Sequence, residues 1–176
     1  MEGREVATLA GGCFWCVEGA FTPLKGVDSA ISGYLNGAGA NPSYEAVCSG
    51  ATGHAEAVQV TFDPAVLSFK RVLDIFFTVH DPTQLNRQGN DYGTQYRSAI
   101  FFHTDAQRDE ALRYIRDKQA AYSAPIVTEV TRAQTFYPAE DYHQRYYEMN
   151  PTAGYCRAVV RPKVEKVRAA FSDLLQ

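Results

Sequence analysis

Apolar and polar positions along the chain repeat with a period that changes several times, and each change marks an element boundary. Val6 to Ala10 predicts a short first strand, closed by Gly11-Gly12. Cys13 to about Phe21 predicts a helix, stopped by Pro23. Val27 to Tyr34 reads as a second strand and Glu56 to Phe62 as a third, with Glu56, Val58, Val60 and Phe62 on one face. Ser68 suits an N-cap, and the stripe Phe69, Val72, Leu73, Phe76 and Phe77 has the spacing of a helix packed on a core. Tyr96 to Phe102 predicts a fourth strand. Thr104 with Gln107 forms a capping box that opens a third helix through about Ala120.

Counted to Phe102, the order is β-α-β-β-α-β, the split pattern of a ferredoxin-like two-layer sandwich of the α+β class. A C-terminal extension follows. It has an extended stretch from Ile126 to Phe136, a short helix around Glu140 to Glu148, and a loop at Asn150 to Cys156. Pro162 is expected at the first position of a last helix carrying Val164, Val167, Phe171 and Leu174. Two connections, Asn36 to Ala55 and His80 to Gln95, are too long for simple turns and rich in Gly, Asn, Asp, Pro and Tyr. Long loops inside a compact domain are usually functional or disordered, and their tyrosines, acids and histidine argue for function.

Composition narrows the class. With 176 residues and 45% hydrophobic content, residues 1–176 read as one domain able to bury its own core. The net charge of -3 comes from interleaved acids and bases, so neither a nucleic-acid stripe nor a disordered charged tail is expected. The start, Met1-Glu2-Gly3-Arg4-Glu5, lacks the basic region and long apolar run of a signal peptide, and no apolar stretch approaches membrane-spanning length. A cytoplasmic location is the simplest expectation. In such a reducing compartment Cys13, Cys16, Cys48 and Cys156 point to catalysis, metal or burial rather than to structural bridges.

Gly11-Gly12-Cys13-Phe14-Trp15 puts a cysteine where a strand ends and a helix begins. Unpaired N–H groups and the positive end of the helix dipole stabilise an anion there, and the expectation is a thiol pKa below its usual value of about 8.5. The alternative is a buried structural cysteine; the glycines, the helix start and the aromatic pair favour a reactive one. Phe14 and Trp15 fit a core, and they equally fit the wall of an apolar pocket for a methyl-thioether-like group, since sulfur–aromatic contacts contribute roughly 0.3–1.5 kcal/mol.

Five ordered blocks carry a resemblance over nearly the whole chain. They are Gly12-Cys13-Phe14-Trp15; the run from Asn41-Pro42-Ser43-Tyr44 to Cys48-Ser49-Gly50, followed by Thr52-Gly53-His54-Ala55-Glu56-Ala57-Val58; Gly89-Asn90-Asp91-Tyr92-Gly93-Thr94-Gln95-Tyr96-Arg97-Ser98; Tyr142-His143-Gln144; and Gly154-Tyr155-Cys156. In these the chain resembles the peptide-methionine (S)-S-oxide reductases, the A-type methionine sulfoxide reductases. These are oxidoreductases of protein repair under oxidative stress that act on sulfur groups with a disulfide as acceptor.

The resemblance implies that a Cys13 thiolate attacks the sulfoxide sulfur while Glu56 supplies a proton to the oxygen. A carboxylic acid with a reference pKa of about 4.3 needs burial to remain a donor near neutral pH. It also implies that Tyr44 and Tyr96 hydrogen-bond the sulfoxide oxygen and that Asp91 is a polar residue of the same pocket. Attack leaves methionine and a Cys13 sulfenic acid, which Cys156 resolves to a disulfide. Thioredoxin or another dithiol protein reopens it. The implied substrates are oxidised proteins and free methionine sulfoxide, as the S epimer, with no flavin, nicotinamide or metal cofactor.

The chain departs from the family at Cys16, where glycine is usual. Cys13-x-x-Cys16 can form a disulfide across one helical turn, so Cys16 is either an auxiliary or resolving thiol or a small buried substitute for glycine. Nothing after Cys156 is a cysteine, so thioredoxin has to attack a bond involving Cys156 directly. Cys48 reads as structural.

Other classes compete. A thiol–disulfide oxidoreductase using Cys13 and Cys16 would leave Glu56, Tyr44, Tyr96 and Cys156 without roles. A zinc-stabilised binding module would use cysteines with His54, His80, His103 or His143, yet only Cys13 and Cys16 have a short paired spacing. His54 and His143 read instead as structural hydrogen-bonding residues. A cysteine hydrolase would need a histidine base beside Cys13, and no sequence feature selects one.

Overall fold

The structure, a computed structural model, describes residues 3–175. Eight strands form: β1 (Glu5–Gly11), β2 (Val27–Leu35), β3 (Ala55–Phe62), β4 (Arg87–Gln88), β5 (Asp91–Tyr92), β6 (Ser98–Phe102), β7 (Glu129–Arg132) and β8 (Tyr137–Pro138). Six α-helices accompany them: α1 (Phe14–Phe21), α2 (Tyr44–Cys48), α3 (Phe69–Val79), α4 (Asp105–Lys118), α5 (Tyr146–Met149) and α6 (Arg161–Ala170).

The main sheet runs β7-β6-β1-β3-β2-β8, and β4 with β5 makes a separate hairpin. Its inner four strands, β6-β1-β3-β2, are antiparallel neighbours, while α1 and α3 provide the two crossovers. This is the ferredoxin-like core expected from the element order.

The alternation in β3 decides what faces the helices. Val58, Val60 and Phe62 join Leu9, Val17, Phe21, Leu73, Phe76, Ile100, Val164 and Val167 in the larger core, and Glu56 lies on the same side of the strand. The opposite face is covered as well. Ala10, Leu35, Ala55, Ala57, Ala99 and Phe101 make a smaller core closed by Ala133 and Phe136. The chain therefore leaves β7 at one edge, crosses the back of the sheet and returns as β8 at the other. A side chain at Gly33 would collide with the Phe136 ring, so glycine is what lets the crossing lie flat.

Several boundaries differ from the sequence reading. The fourth core strand starts at Ser98, because Thr94–Tyr96 forms a 3-10 turn entered through Gly93 at φ 135°. The helix expected over residues 140–148 is broken, since Arg145 adopts a left-handed conformation at φ 54° and only Tyr146–Met149 is α-helical. Cys156 is not in the loop. It opens a π turn, Cys156–Val160, that runs directly into α6, so Pro162 is the second residue of that helix. Phe171 and Leu174 lie past its end, both buried. The two long connections contain α2 and the β4–β5 hairpin. No helix among the described residues is long and apolar enough to cross a membrane.

Candidate active site

Cys13 is the N-cap of α1, two residues beyond the end of β1. The reversal needs Gly12 at φ 92°, and a Cβ there would fall 2.6 Å from Cγ of Gln88. Gln88 is itself fixed, because its amide accepts from Asp81 N at 3.1 Å and donates back to the Asp81 carbonyl at 2.5 Å. The second long loop thereby presses on the turn that aims Cys13.

Glu56 reaches the same turn from β3. Its carboxyl is 1% exposed, and its Oε1 accepts the Phe14 N–H at 3.3 Å. Its Oε2 is buried without a hydrogen-bond partner among the described residues. Burial pushes the carboxyl up to about 8, with Asp91 and Cys16 adding to the rise and the Phe14 N–H opposing it. The sequence argument for a buried, protonated Glu56 thus has its geometry.

The expectation for Cys13 was the reverse of what the fold does. Cys13 is 7% exposed, and burial pushes its thiol well above the ordinary range. The neighbouring Cys16 thiol adds to this rise and is itself drawn down by Cys13. Here desolvation outweighs the stabilisation available from the helix terminus.

Phe14 and Trp15 do form walls. The Phe14 ring lies 5.6 Å from Tyr34 and 6.5 Å from Tyr44, and Trp15 stacks on Tyr146 at 4.0 Å with Tyr155 edge-on at 5.8 Å. His143 fills the gap between Phe14, Trp15 and Tyr44. It was expected to be a hydrogen-bonding structural residue, yet neither ring nitrogen has a partner among the described residues. His54 does fit that expectation, bridging Gly37 N at 3.1 Å and the Gly39 carbonyl at 2.8 Å.

Tyr44 and Tyr96 come from different loops and converge near Cys48, whose thiol burial pushes up and the two tyrosines draw down. Both lie close enough to feel the Glu56 charge. Cys48 therefore sits among the site residues rather than in remote packing. Asp91 also belongs to the site, where it accepts from the Tyr155 hydroxyl. Cys156 is fully buried, and the thiol whose charge acts on it is that of Cys16.

Sequence reasoning missed Tyr155, Gln88 and Glu140. Glu140 holds the Tyr34 hydroxyl and the Tyr44 N–H, each at 3.0 Å. Only Tyr155 carried a signal, its place in the Gly154-Tyr155-Cys156 block. Among the described residues no three or more His, Cys, Asp or Glu side chains gather as a metal site.

The comparisons with known proteins agree with this geometry. The family model described as peptide methionine sulfoxide reductase matches residues 5–175. Peptide methionine sulfoxide reductase MsrA of Polynucleobacter asymbioticus is 54% identical over 97% of this chain and 91% of its own. Among solved structures, Mxr1 from Saccharomyces cerevisiae in reduced form superposes with a TM-score of 0.83 at 37% identity, covering 88% of this chain and 90% of that one. Mxr1 in complex with Trx2 matches with a TM-score of 0.59 at 26% identity, over 82% and 85% of the two chains.

Proposed function

This chain belongs to the peptide methionine sulfoxide reductase family and reduces methionine sulfoxide to methionine, and we propose that Cys13 is its nucleophile, Glu56 its proton donor, and Tyr44 and Tyr96 the groups that hold the sulfoxide oxygen. The observation that carries this assignment is the free, buried Oε2 of Glu56 beside the residue that opens α1.

The charge states suit a dry pocket. Thiol, carboxylic acid and sulfoxide are all neutral before reaction. As the Cys13 sulfur bonds to the sulfoxide sulfur, Glu56 gives its proton to the oxygen, and the carboxylate so formed takes the thiol proton. The oxygen then passes to Cys13, leaving a sulfenic acid and methionine. Cys13 is oxidised by two electrons, the substrate sulfur is reduced by two, and Glu56 is regenerated. Tyr44 and Tyr96 both act on Cys48 and both feel the Glu56 charge, so their hydroxyls can reach a sulfoxide oxygen held beside Glu56. Phe14 and Trp15 supply the apolar wall for the methyl group, and Asp91 orders Tyr155 beside it.

The sulfenic acid closes to a disulfide involving Cys156. A thioredoxin-type dithiol reopens it, a partnership supported by the complex of the related Mxr1 with Trx2. The substrate is the S epimer, protein-bound or free, as the A-type resemblance implies. The whole chain acts as one reductase domain built on its single large sheet, and its four free thiols suit the cytoplasm. A stand-alone thiol–disulfide oxidoreductase would not use the Glu56–tyrosine cluster.

The test is single-turnover methionine formation with resolved epimers. Cys13→Ser should yield no methionine above the blank, and the R epimer should be left unreacted. Product from Cys13→Ser would remove the nucleophile from the scheme.

A further inference from the structure

We propose that Cys16 is the first resolving thiol, condensing with the Cys13 sulfenic acid and then handing the disulfide to Cys156. The proposal deepens the sulfoxide reductase reading above and rests on it.

Three observations converge on Cys16. First, it lies one helical turn from Cys13, on the same side of α1, and its N–H donates to the Cys13 carbonyl at 3.1 Å. A disulfide needs Cα atoms roughly 4.4–6.8 Å apart, a span that neighbouring turns of a helix meet without rearrangement. Second, Cys156 is fully buried in the π turn, and it is Cys16 that acts on it electrostatically. All three cysteines belong to one core cluster, and Cys16 lies in α1 while Cys156 opens the π turn that leads into α6. Third, Lys163 on α6 acts on Cys16 and favours its thiolate, the form that attacks a sulfenic sulfur. A substitute for glycine chosen only for packing would not need a cation.

The steps balance. The Cys16 thiolate attacks the Cys13 sulfur; the S–O bond breaks and hydroxide leaves, taking up a proton as water. This forms the Cys13–Cys16 disulfide. The Cys156 thiolate then attacks the Cys16 sulfur, the Cys13–Cys16 bond breaks, and Cys13 departs as a thiolate. The oxidising equivalent now rests in Cys16–Cys156, and Cys13 is reduced before any external dithiol arrives. That dithiol supplies two electrons and two protons to restore Cys16 and Cys156.

The experiment uses the full chain, fully reduced, mixed with one equivalent of methionine sulfoxide without thioredoxin, quenched by alkylation over time and mapped by mass spectrometry. In the unmodified protein a Cys13–Cys16 bond should appear first and give way to Cys16–Cys156, with Cys13 alkylated at the end. Cys156→Ser should stop at Cys13–Cys16 with Cys48 alkylated. Cys16→Ser should accumulate Cys13 sulfenic acid, trapped by dimedone, several-fold above the unmodified protein. Cys16→Ala serves as the second variant where the hydroxyl disturbs the core.

A Cys13–Cys156 bond that forms without a Cys13–Cys16 precursor would overturn the relay. So would a Cys13–Cys48 bond in Cys156→Ser, or undiminished resolution in both Cys16 variants. The methionine burst of the unmodified protein reports separately on the underlying reading. Without that burst sulfoxide reduction itself fails; with it and the wrong disulfide, only the relay does.

Discussion

Glu56 shows how one side chain acquires its chemistry from its place in a strand. The β3 alternation turns it toward the helices, burial holds it protonated to about pH 8, and a single backbone N–H occupies only one of its oxygens. In the proposed scheme the acid form is the working form. The first reductive step should therefore be steady through neutrality and slow as pH rises through about 8. Glu56→Gln should lose roughly 100-fold or more in that step, together with the decline above pH 8, as read by rapid-quench methionine formation. The face occupied by Glu56 was legible from period-two alternation, and the role proposed for it comes from the block around it. The direction of the Cys13 shift was not. Helix-terminus reasoning sees one element, whereas desolvation is set by the whole core cluster that buries Cys13, much of it from far along the chain.

Among the elements, those with a strong period were the ones the sequence revealed. The α3 stripe is buried as expected, and Thr104 caps α4 by accepting from Gln107 N at 3.1 Å. The π turn, β8 and the left-handed Arg145 left no periodic trace, because each is set by a partner distant in sequence. Glu18 is such a partner. It is buried in α1, accepts the Arg145 N–H at 2.8 Å, and burial raises it to about 7. The folded state thus favours protonated Glu18, so its stabilising contribution is fully present below the unfolded value of about 4.3 and is lost as pH rises through about 7. Glu18→Gln should match the unmodified protein at acid pH and melt higher at pH 8, by roughly 2–4 °C for each kcal/mol relieved. At the other end of α1, Gly12→Ala forces an L-residue to φ 92° against Gln88. A loss of about 1–3 kcal/mol is expected, seen in denaturant melts, with a slower first step because Cys13 is re-aimed.

For the molecule as a whole, the crossing segment joins what the core alone would leave open. At the β2 edge, β8 pairs only with Gly33 and Tyr34, and the Gln144 amide takes over at Ser32. That amide accepts from Ser32 N at 3.0 Å and donates to the carbonyls of Ser32 at 2.8 Å and Ala139 at 3.1 Å. Gln144→Ala should cost about 1–3 kcal/mol and speed hydrogen exchange at Ser32 while leaving Leu9 and Val58 protected. The edge has a further consequence. The outermost strands are four and two residues long, β8 ends in a proline with no N–H to offer, and beyond it the Ala139 N–H and the Gln144 side chain share Ser32. Short, blunted borders of this kind give foreign chains little template for strand addition. A reductase of peptide methionine sulfoxide can thus meet an extended chain without adding it to its own sheet.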